Sequence, residues 1–406
     1  MFRRLLGVAA VGLSLVSAPM HAQYAHTQGK EIVDGSGKPL LLRGTSLGNW
    51  MVTEGYMWLF EGGPQSEREI EALVAELIGP DNAEEFWKQY RENYVTRADI
   101  HLLKEAGANS IRVPMHYRFF ETENSEGFKL LDRVVEWSRQ EGLYVILDMH
   151  AAPGGQTGTN IDDSYGYPWL YDSPKEKAHL VAVWQRISKH YAKSRTVLGY
   201  DLLNEPIPHY PSLRPLNEKL EPLYKKLTTA VRAVDPNHIL FLGGAQWDTN
   251  FAVFGTPFDK NTAYSLHKYW MKVEQPAVQP YVDFREKYNV PLWLGESGEN
   301  TDEWIMQFRE LLEKNDIGWT FWPYKKLEKS SAIVTVTPPE GWDKIVAFAK
   351  LPRAVGSTEA RLKERPEQAV IDKVFAGLLE NIKLEHCRVN EGYLKALGFK
   401  TVSATK

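Results

Sequence analysis

The sequence is almost without cysteine: Cys387 is the only one in 406 residues. An intrachain disulfide is therefore excluded, and so is a cysteine-based zinc cluster. Positive charge is not in excess either. Lys and Arg number 48 against 52 Asp and Glu, for a formal net charge of −4. That balance advertises neither nucleic acid nor an anionic membrane as a partner. Beyond the first 22 residues no run of about eighteen apolar residues occurs, so no membrane-spanning helix is expected. GxGxxG, GxxxxGK and HExxH are all missing, which removes the usual signatures of dinucleotide, P-loop and zincin sites. No His-x-His pair sits on one strand to suggest a metal centre, and we expect no metal and no cofactor.

Aromatic residues are plentiful, at 12% of the chain with 13 Trp and 19 Tyr. They suit either a large aromatic core or flat rings lining a groove for apolar sugar faces. The first 22 residues stand apart. "MFRR" is a short basic start, "LLGVAAVGLSLVSA" is an apolar run of signal-peptide length, and "MHA" offers a cleavage point after Ala22. Cleavage after Ala18 would leave Pro19 at the new terminus and is less favourable. We expect residues 1–22 to be removed on export to the periplasm or the medium. Residues 23–406 then form one domain, a barrel over about 40–355 with a charged helical tail over about 356–406. Cys387 reads as a small helix residue of that tail.

"KEIVDGSGKPLLLRG" reads as a hairpin around "DGSG". Short apolar runs then recur: "LLLRGTSL", "ANSIRVP", "LYVILDMH", "VLGYDLLNEP", "HILFLGG", "AYSLHKY", "PLWLGES" and "GWTFWPY". Near-continuous apolar character suits strands buried on both faces of a parallel sheet. Helical patterns lie between them. Ser173 as N-cap, Pro174 and Glu176 open one that places Leu180, Val183, Trp184 and Ile187 on one face. "SEREIEALVAEL" and "NAEEFWKQYRENYVTRADIHLLKEAG" fill a long insert over 53–107. Eight strands alternating with helices predict a (β/α)8 TIM barrel with an N-terminal hairpin and a C-terminal helical extension.

In such a barrel the C-terminal strand ends converge on one face. They carry Arg112, His150, Asn204 with Glu205, His267 with Tyr269, Glu296 and Trp322. Each is polar or aromatic at the end of an apolar run. One such residue is unremarkable as packing or a satisfied core group; the convergence of all of them reads as a catalytic constellation.

"NEP", "HKY" and "GES" at barrel spacing, with the "IVDGSGKPLLLRG" hairpin and "GWTFWPY", resemble glycoside hydrolase family 5 over roughly residues 30–325. "LGNWMV", "YVTRADIHLLKEAGANSIRVP" and "LDMHAAPGGQTG" are most similar to its exo-β-1,3-glucanase branch. Asn49 stands where that branch has a second glycine, and "TEGYMWLF" departs from it. The resemblance implies Glu205 as general acid/base, Glu296 as nucleophile, Asn204 as ligand of the sugar 2-hydroxyl and Tyr269 as the group orienting Glu296. Arg112 would keep Glu296 ionised, His150 and His267 would surround the reacting sugar, and Trp322 would stack beneath it. Trp50 and Tyr117 are further cleft candidates. Glu54 and Glu299 read as supporting loop residues.

Two carboxylates in different environments fit acetal cleavage, which needs a proton on the leaving oxygen and negative charge beneath an oxocarbenium-like sugar. A retaining pair sits about 5–5.5 Å apart, an inverting pair roughly 6.5–9.5 Å. The expected substrate is a β-linked glucan or oligosaccharide, acted on by a monomer. The alternatives within the class are an endo-β-1,4-glucanase or mannanase and a transglycosylase; outside it, a metal-dependent barrel hydrolase and a non-catalytic carbohydrate-binding barrel. The long insert and the loop after strand eight decide between exo and endo action if they wall off one end of the cleft. N-terminal sequencing of exported protein should begin at Gln23; soluble protein retaining Met1 would refute the leader.

Overall fold

Runs that are apolar on both faces can be satisfied only between other elements, and here they are. The computed structural model describes residues 24–404, so the expected leader and its cleavage point lie outside the described residues. After a hairpin of β1 (His26–Gln28) and β2 (Glu31–Val33), eight strands follow. They are β3 (Arg43–Ser46), β4 (Ser110–His116), β5 (Tyr144–Ala151), β6 (Val197–Asp201), β7 (Ile239–Gly243), β8 (Thr262–His267), β9 (Leu292–Glu296) and β10 (Gly318–Phe321). They close into one parallel barrel in the order β10-β3-β4-β5-β6-β7-β8-β9, with helices between successive strands. The register shifts between Met115 and His116 on β4 and between Leu266 and His267 on β8, so that His267 lies opposite Glu296. Both irregularities fall at strand C-termini, where a bulge re-aims side chains.

The hairpin forms one turn earlier than expected, around Gly29 in the left-handed region (φ 60°). "DGSG" does turn, because the Asp34 carboxylate accepts from the Ser36 and Lys38 amides, but beyond it only Val33 and Pro39 form a bridge. Ala25 and Ile32 of this region pack with Leu42, Ile146, Leu198, Ile239, Phe241 and Trp293, plugging the N-terminal end of the barrel.

The insert holds three helices, not two. Glu67–Ile78 starts with a capping box on Ser66, and the second expected helix breaks into Pro80–Tyr94 and Arg97–Ala106. The break is at Thr96, whose amide and hydroxyl both donate to Asp99. The Ser173 cap is present, with its hydroxyl accepting from the Glu176 amide.

The C-terminal part is not purely helical. β11 (Lys325–Leu327), β12 (Val334–Val336) and β13 (Arg388–Val389) form a small sheet, among helices Trp342–Ala349, Thr358–Glu364, Gln368–Asn381 and Glu391–Ala396. Cys387 lies between the last two of these helices, outside both, and its thiol donates to the Asn381 and Lys383 carbonyls. One aromatic cluster joins insert to tail: Trp58 packs on Phe60, Trp87, Tyr90 and Trp342, and Phe86 and Trp342 pack on Phe375. Among the described residues no helix is long and apolar enough to cross a membrane.

One buried ion pair fastens insert to tail. Lys325 Nζ lies 2.8 Å from Asp99, and both side chains are fully buried. The ammonium also donates to the Tyr94 and Ile382 carbonyls, and Tyr324 donates to Asp99. Asp99→Ala should therefore cost about 3–5 kcal/mol, because it strands a buried ammonium. Urea unfolding should show a lower midpoint, and the Asp99→Leu/Lys325→Met pair should recover most of the loss. A single variant as stable as the wild type would contradict this.

Candidate active site

Arg112, the third residue of β4, has no exposed surface. Its guanidinium reaches Glu296 Oε2 at 2.7 Å, Asn204 Oδ1 at 2.7 Å, and Asp148 and Asp201 at 3.1 Å each. Burial pushes the Asp148 and Asp201 carboxyls up, and Arg112 opposes that shift. Asp148 also binds His150 Nδ1 at 2.8 Å. Burial drives the His150 imidazole down to about 4, so it is neutral at working pH. With Asn204 Oδ1 taken by Arg112, the amide NH2 is left for the cavity.

β6 ends at Asp201, two residues earlier than the apolar run suggests. Leu202 and Leu203 continue buried, and the chain then enters a strained turn with Glu205 at φ 47° and Ile207 at φ 56°. Non-glycine residues in this region cost of order 1–3 kcal/mol each. Gln156 holds the turn: its amide donates to the His150 and Asn204 carbonyls, and its own carbonyl accepts from the Ile207 amide. The Glu205 amide donates to Asp248 at 3.3 Å. Burial pushes the Glu205 carboxyl up to about 7, offset by His150 and Arg112.

Glu296 closes β9, and both its oxygens accept: one from Arg112, the other from Tyr269 Oη at 2.7 Å. His267 Nδ1 lies 3.0 Å from Glu205 Oε1. Ligand atoms of Glu205, His267 and Glu296 lie within 4.8 Å of one another. That spacing could hold a cation, but the donors argue against one. Both oxygens of Glu296 are already engaged, and Arg112 sets positive charge against the same carboxylate.

These groups line a cavity of about 700 Å³. Trp322 forms part of it. Its indole lies where a Cβ on Gly48 would stand 2.3 Å away, so the close approach requires glycine there. The ring runs parallel to His150 at 5.5 Å and its N–H donates to Tyr56 Oη at 2.7 Å. Behind it Lys326, on β11 and buried, donates to both oxygens of Glu299 at 2.7 and 2.6 Å. Trp270, 73% exposed, is tethered through its N–H to the Glu299 carbonyl. Glu54 completes this side; burial, reinforced by Glu296 and Glu205, pushes its carboxyl well up.

Glu205, Glu296, Asn204, His150, His267, Tyr269 and Trp322 thus meet around one cavity, with Arg112 directly beneath. Trp50 and Tyr117 do not. Trp50 is buried and its N–H donates to the Arg91 carbonyl; Tyr117 packs between His116 and His179. Glu54 and Glu299, read from sequence as supporting residues, line the cavity. Tyr56, Trp247, Trp270 and Asp248 were not singled out. Asp248 and Trp247 follow β7, the one strand after the first for which no end residue was named, so reading "GGAQWDTN" by the same rule would have found them. Asn49 has φ 63°, which explains why asparagine replaces the glycine of the similar branch: it is the side chain that best tolerates that region.

The sequence profile described as Cellulase (glycosyl hydrolase family 5) matches residues 75–327. The chain belongs to glycosyl hydrolase family 5. It is an O-glycoside hydrolase. A "Beta-xylosidase" from Phanerodontia chrysosporium is 31% identical over 348 residues, 75% of this chain and 71% of that one. A "Probable glucan 1,3-beta-glucosidase A" from Aspergillus clavatus is 27% identical, over 67% of this chain and 66% of that one. The rutinosidase structure from Aspergillus niger superposes with a TM-score of 0.59 at 17% identity, covering 72% of this chain and 92% of that one, a likeness of fold.

The engagement of Glu296 predicts that a chelator leaves the family 5 activity unchanged. Activity lost in EDTA and restored by a divalent ion would overturn that reading of the donors.

Proposed function

We propose that the protein is a retaining, exo-acting β-glycosidase that removes sugar units from the ends of β-glucan-type chains. The observation that carries the reading is the pairing of Glu205 and Glu296 across the cavity, with ligand oxygens within 4.8 Å and unlike surroundings. That closeness favours the retaining spacing over the wider gap that admits a water between the two carboxyls.

Glu205, protonated below about pH 7, gives its proton to the glycosidic oxygen as the bond to the anomeric carbon breaks. A Glu296 oxygen attacks that carbon from the opposite face, giving a glycosyl ester and the free leaving sugar. Water then attacks the same carbon, Glu205 takes its proton, and Glu296 is released with the configuration retained. Asn204 presents its NH2 group to the 2-hydroxyl, and Trp322 supplies an apolar floor. His150, neutral over the working range, serves as a hydrogen-bonding neighbour and carries no charge.

Exo action is favoured by the wall. Glu54, Tyr56 and Glu299 line the cavity beside Trp322, with Lys326 bonded to Glu299 and Trp270 tethered to the same side, while exposed His209 and half-buried Trp247 line it after β6 and β7. A site closed on one side takes a chain end. Export, expected from the first 22 residues, would bring the enzyme to polysaccharide outside the cytoplasm.

Glucans of β-1,3, β-1,4, β-1,6 and mixed linkage, with mannan and aryl xylosides alongside, test the substrate. Short sugars as first products support the exo reading; a ladder of oligomers would replace it with an endoglucanase. Product analysis with an acceptor sugar separates hydrolysis from transglycosylation. Glu296→Ala should abolish turnover of every substrate. Glu205→Ala should spare the first step on dinitrophenyl glycosides yet cripple it with sugar leaving groups, typically by 10²–10⁴-fold, and azide should yield a glycosyl azide of retained configuration. On sugar leaving groups, wild-type activity should fall as pH rises through about 7, where Glu205 loses its proton. Identical behaviour of the two variants, or a first product of inverted configuration, would withdraw the assignment.

A further inference from the structure

Asp248 is a buried carboxyl that the mechanism above does not use. Its Oδ2 lies 3.2 Å from His267 Nε2 and accepts from the Glu205 amide at 3.3 Å. The other ring nitrogen of His267 faces Glu205 Oε1 at 3.0 Å. We propose that Asp248 and Glu205 share one proton through His267, which makes Asp248 a positioning residue for the acid/base. The proposal rests on Glu205 acting as the acid.

The backbone is committed to this placement. Gln246, Trp247 and Asp248 have φ of 55°, 58° and 57°, three consecutive non-glycine residues in the left-handed region. Strain of this kind persists only where surroundings over-determine it. Here the Asp248 amide donates to the Gly244 carbonyl, and the Gln246 and Asn217 side chains bond reciprocally. Space for the carboxylate comes from Gly243, where a Cβ would stand 1.9 Å from Asp248 Oδ1. The Nε2 to Oδ2 approach is bent from the ideal direction, yet neither Nε2 nor Oδ1 has a hydrogen-bond partner among the described residues.

The proton count follows from the donors. Burial drives His267 down to about 3, so its ring is neutral and carries one N–H. If that hydrogen is on Nε2, it faces an ionised Asp248 across the bent 3.2 Å approach, and Nδ1 accepts from a protonated Glu205. If it is on Nδ1, it points to an ionised Glu205, and Nε2 accepts from a protonated Asp248. The arrangements hold the same protons. They interconvert when Asp248 gives a proton to Nε2 while Nδ1–H passes to Glu205.

The surroundings oppose a second negative charge. Burial pushes Asp248 well up, reinforced by Asp201 and Glu205, while Arg112 and the Glu205 amide pull it back. Glu296 and His150 also face His267, the second of them neutral. Around Asp248, Tyr171, Tyr224 and Tyr281 are all pushed up and remain uncharged. Emptying Glu205 therefore leaves two adjacent buried carboxylates, which like-charge repulsion resists.

Asp248→Asn removes that repulsion. With poor leaving groups, the alkaline limb of kcat/KM should move toward acid by about one pH unit. The first step on dinitrophenyl glycosides should keep its rate. A folded variant with an unmoved limb, or with equal losses on both substrate classes, would overturn the proposal. Where Asp248→Asn does not fold, carboxyl ¹³C NMR of the wild-type protein decides. Asp248 and Glu205 moving through the same pH steps support the shared proton; Asp248 constant while Glu205 titrates alone refutes it. Glu205→Ala separates the two readings: if it loses rate equally on both leaving groups, the acid assignment fails, whereas the NMR result stands on its own.

Discussion

One guanidinium holds the reaction centre together. Among the described residues Arg112 is the only cation in contact with Asp148, Asp201 and Glu296, and it also fixes the Asn204 amide. A buried cation among several buried carboxyls sets a fixed allowance of negative charge. Arg112 opposes the upward push of burial on Asp148 and Asp201, which it touches. Glu296 takes a hydrogen bond from the same guanidinium, while Glu205, Asp248 and Glu54 have none from it and are pushed up by burial. Two like side chains thereby acquire unlike chemistry. Replacing Arg112 by lysine would keep the charge and lose the fork that touches four partners at once.

Around this charge the fold spends rigidity on backbone strain. The left-handed residues Glu205, Ile207 and Gln246–Asp248 follow β6 and β7, adjacent strands of the barrel. Each strained turn is held by amide side chains, Gln156 for one and Gln246 with Asn217 for the other. The result is a pair of carboxyls, Glu205 and Asp248, delivered from neighbouring strand ends to opposite sides of one imidazole.

The barrel and most of the site were legible because parallel strands buried on both faces announce themselves as apolar runs, and a polar residue at the end of such a run is conspicuous. Glu205 after "YDLL" and Glu296 after "LWLG" are examples. What was not legible depends on contacts distant in sequence. The role of Glu54 comes from burial against groups far along the chain. The placement of Asp248 depends on three successive left-handed residues that no propensity suggests. Strands of two or three residues in the C-terminal sheet carry too little pattern to detect, and the hairpin shifted because "DGSG" forms a side-chain-supported turn while Gly29 turns the paired strands.

The Trp322 side of the cavity is fastened by residues some seventy positions further along the chain. Tyr393 donates to the Trp322 carbonyl, and β11, which carries Lys326, is joined through β12 to β13 at Arg388–Val389. Synthesis runs from the N-terminus, so all eight barrel strands are complete while these supports are still unbuilt. Glu205 and Glu296 thus exist in the growing chain before the Trp322 ring beside them is secured. A ribosome that stalls before Arg388 leaves a closed barrel whose Trp322 is not yet fastened.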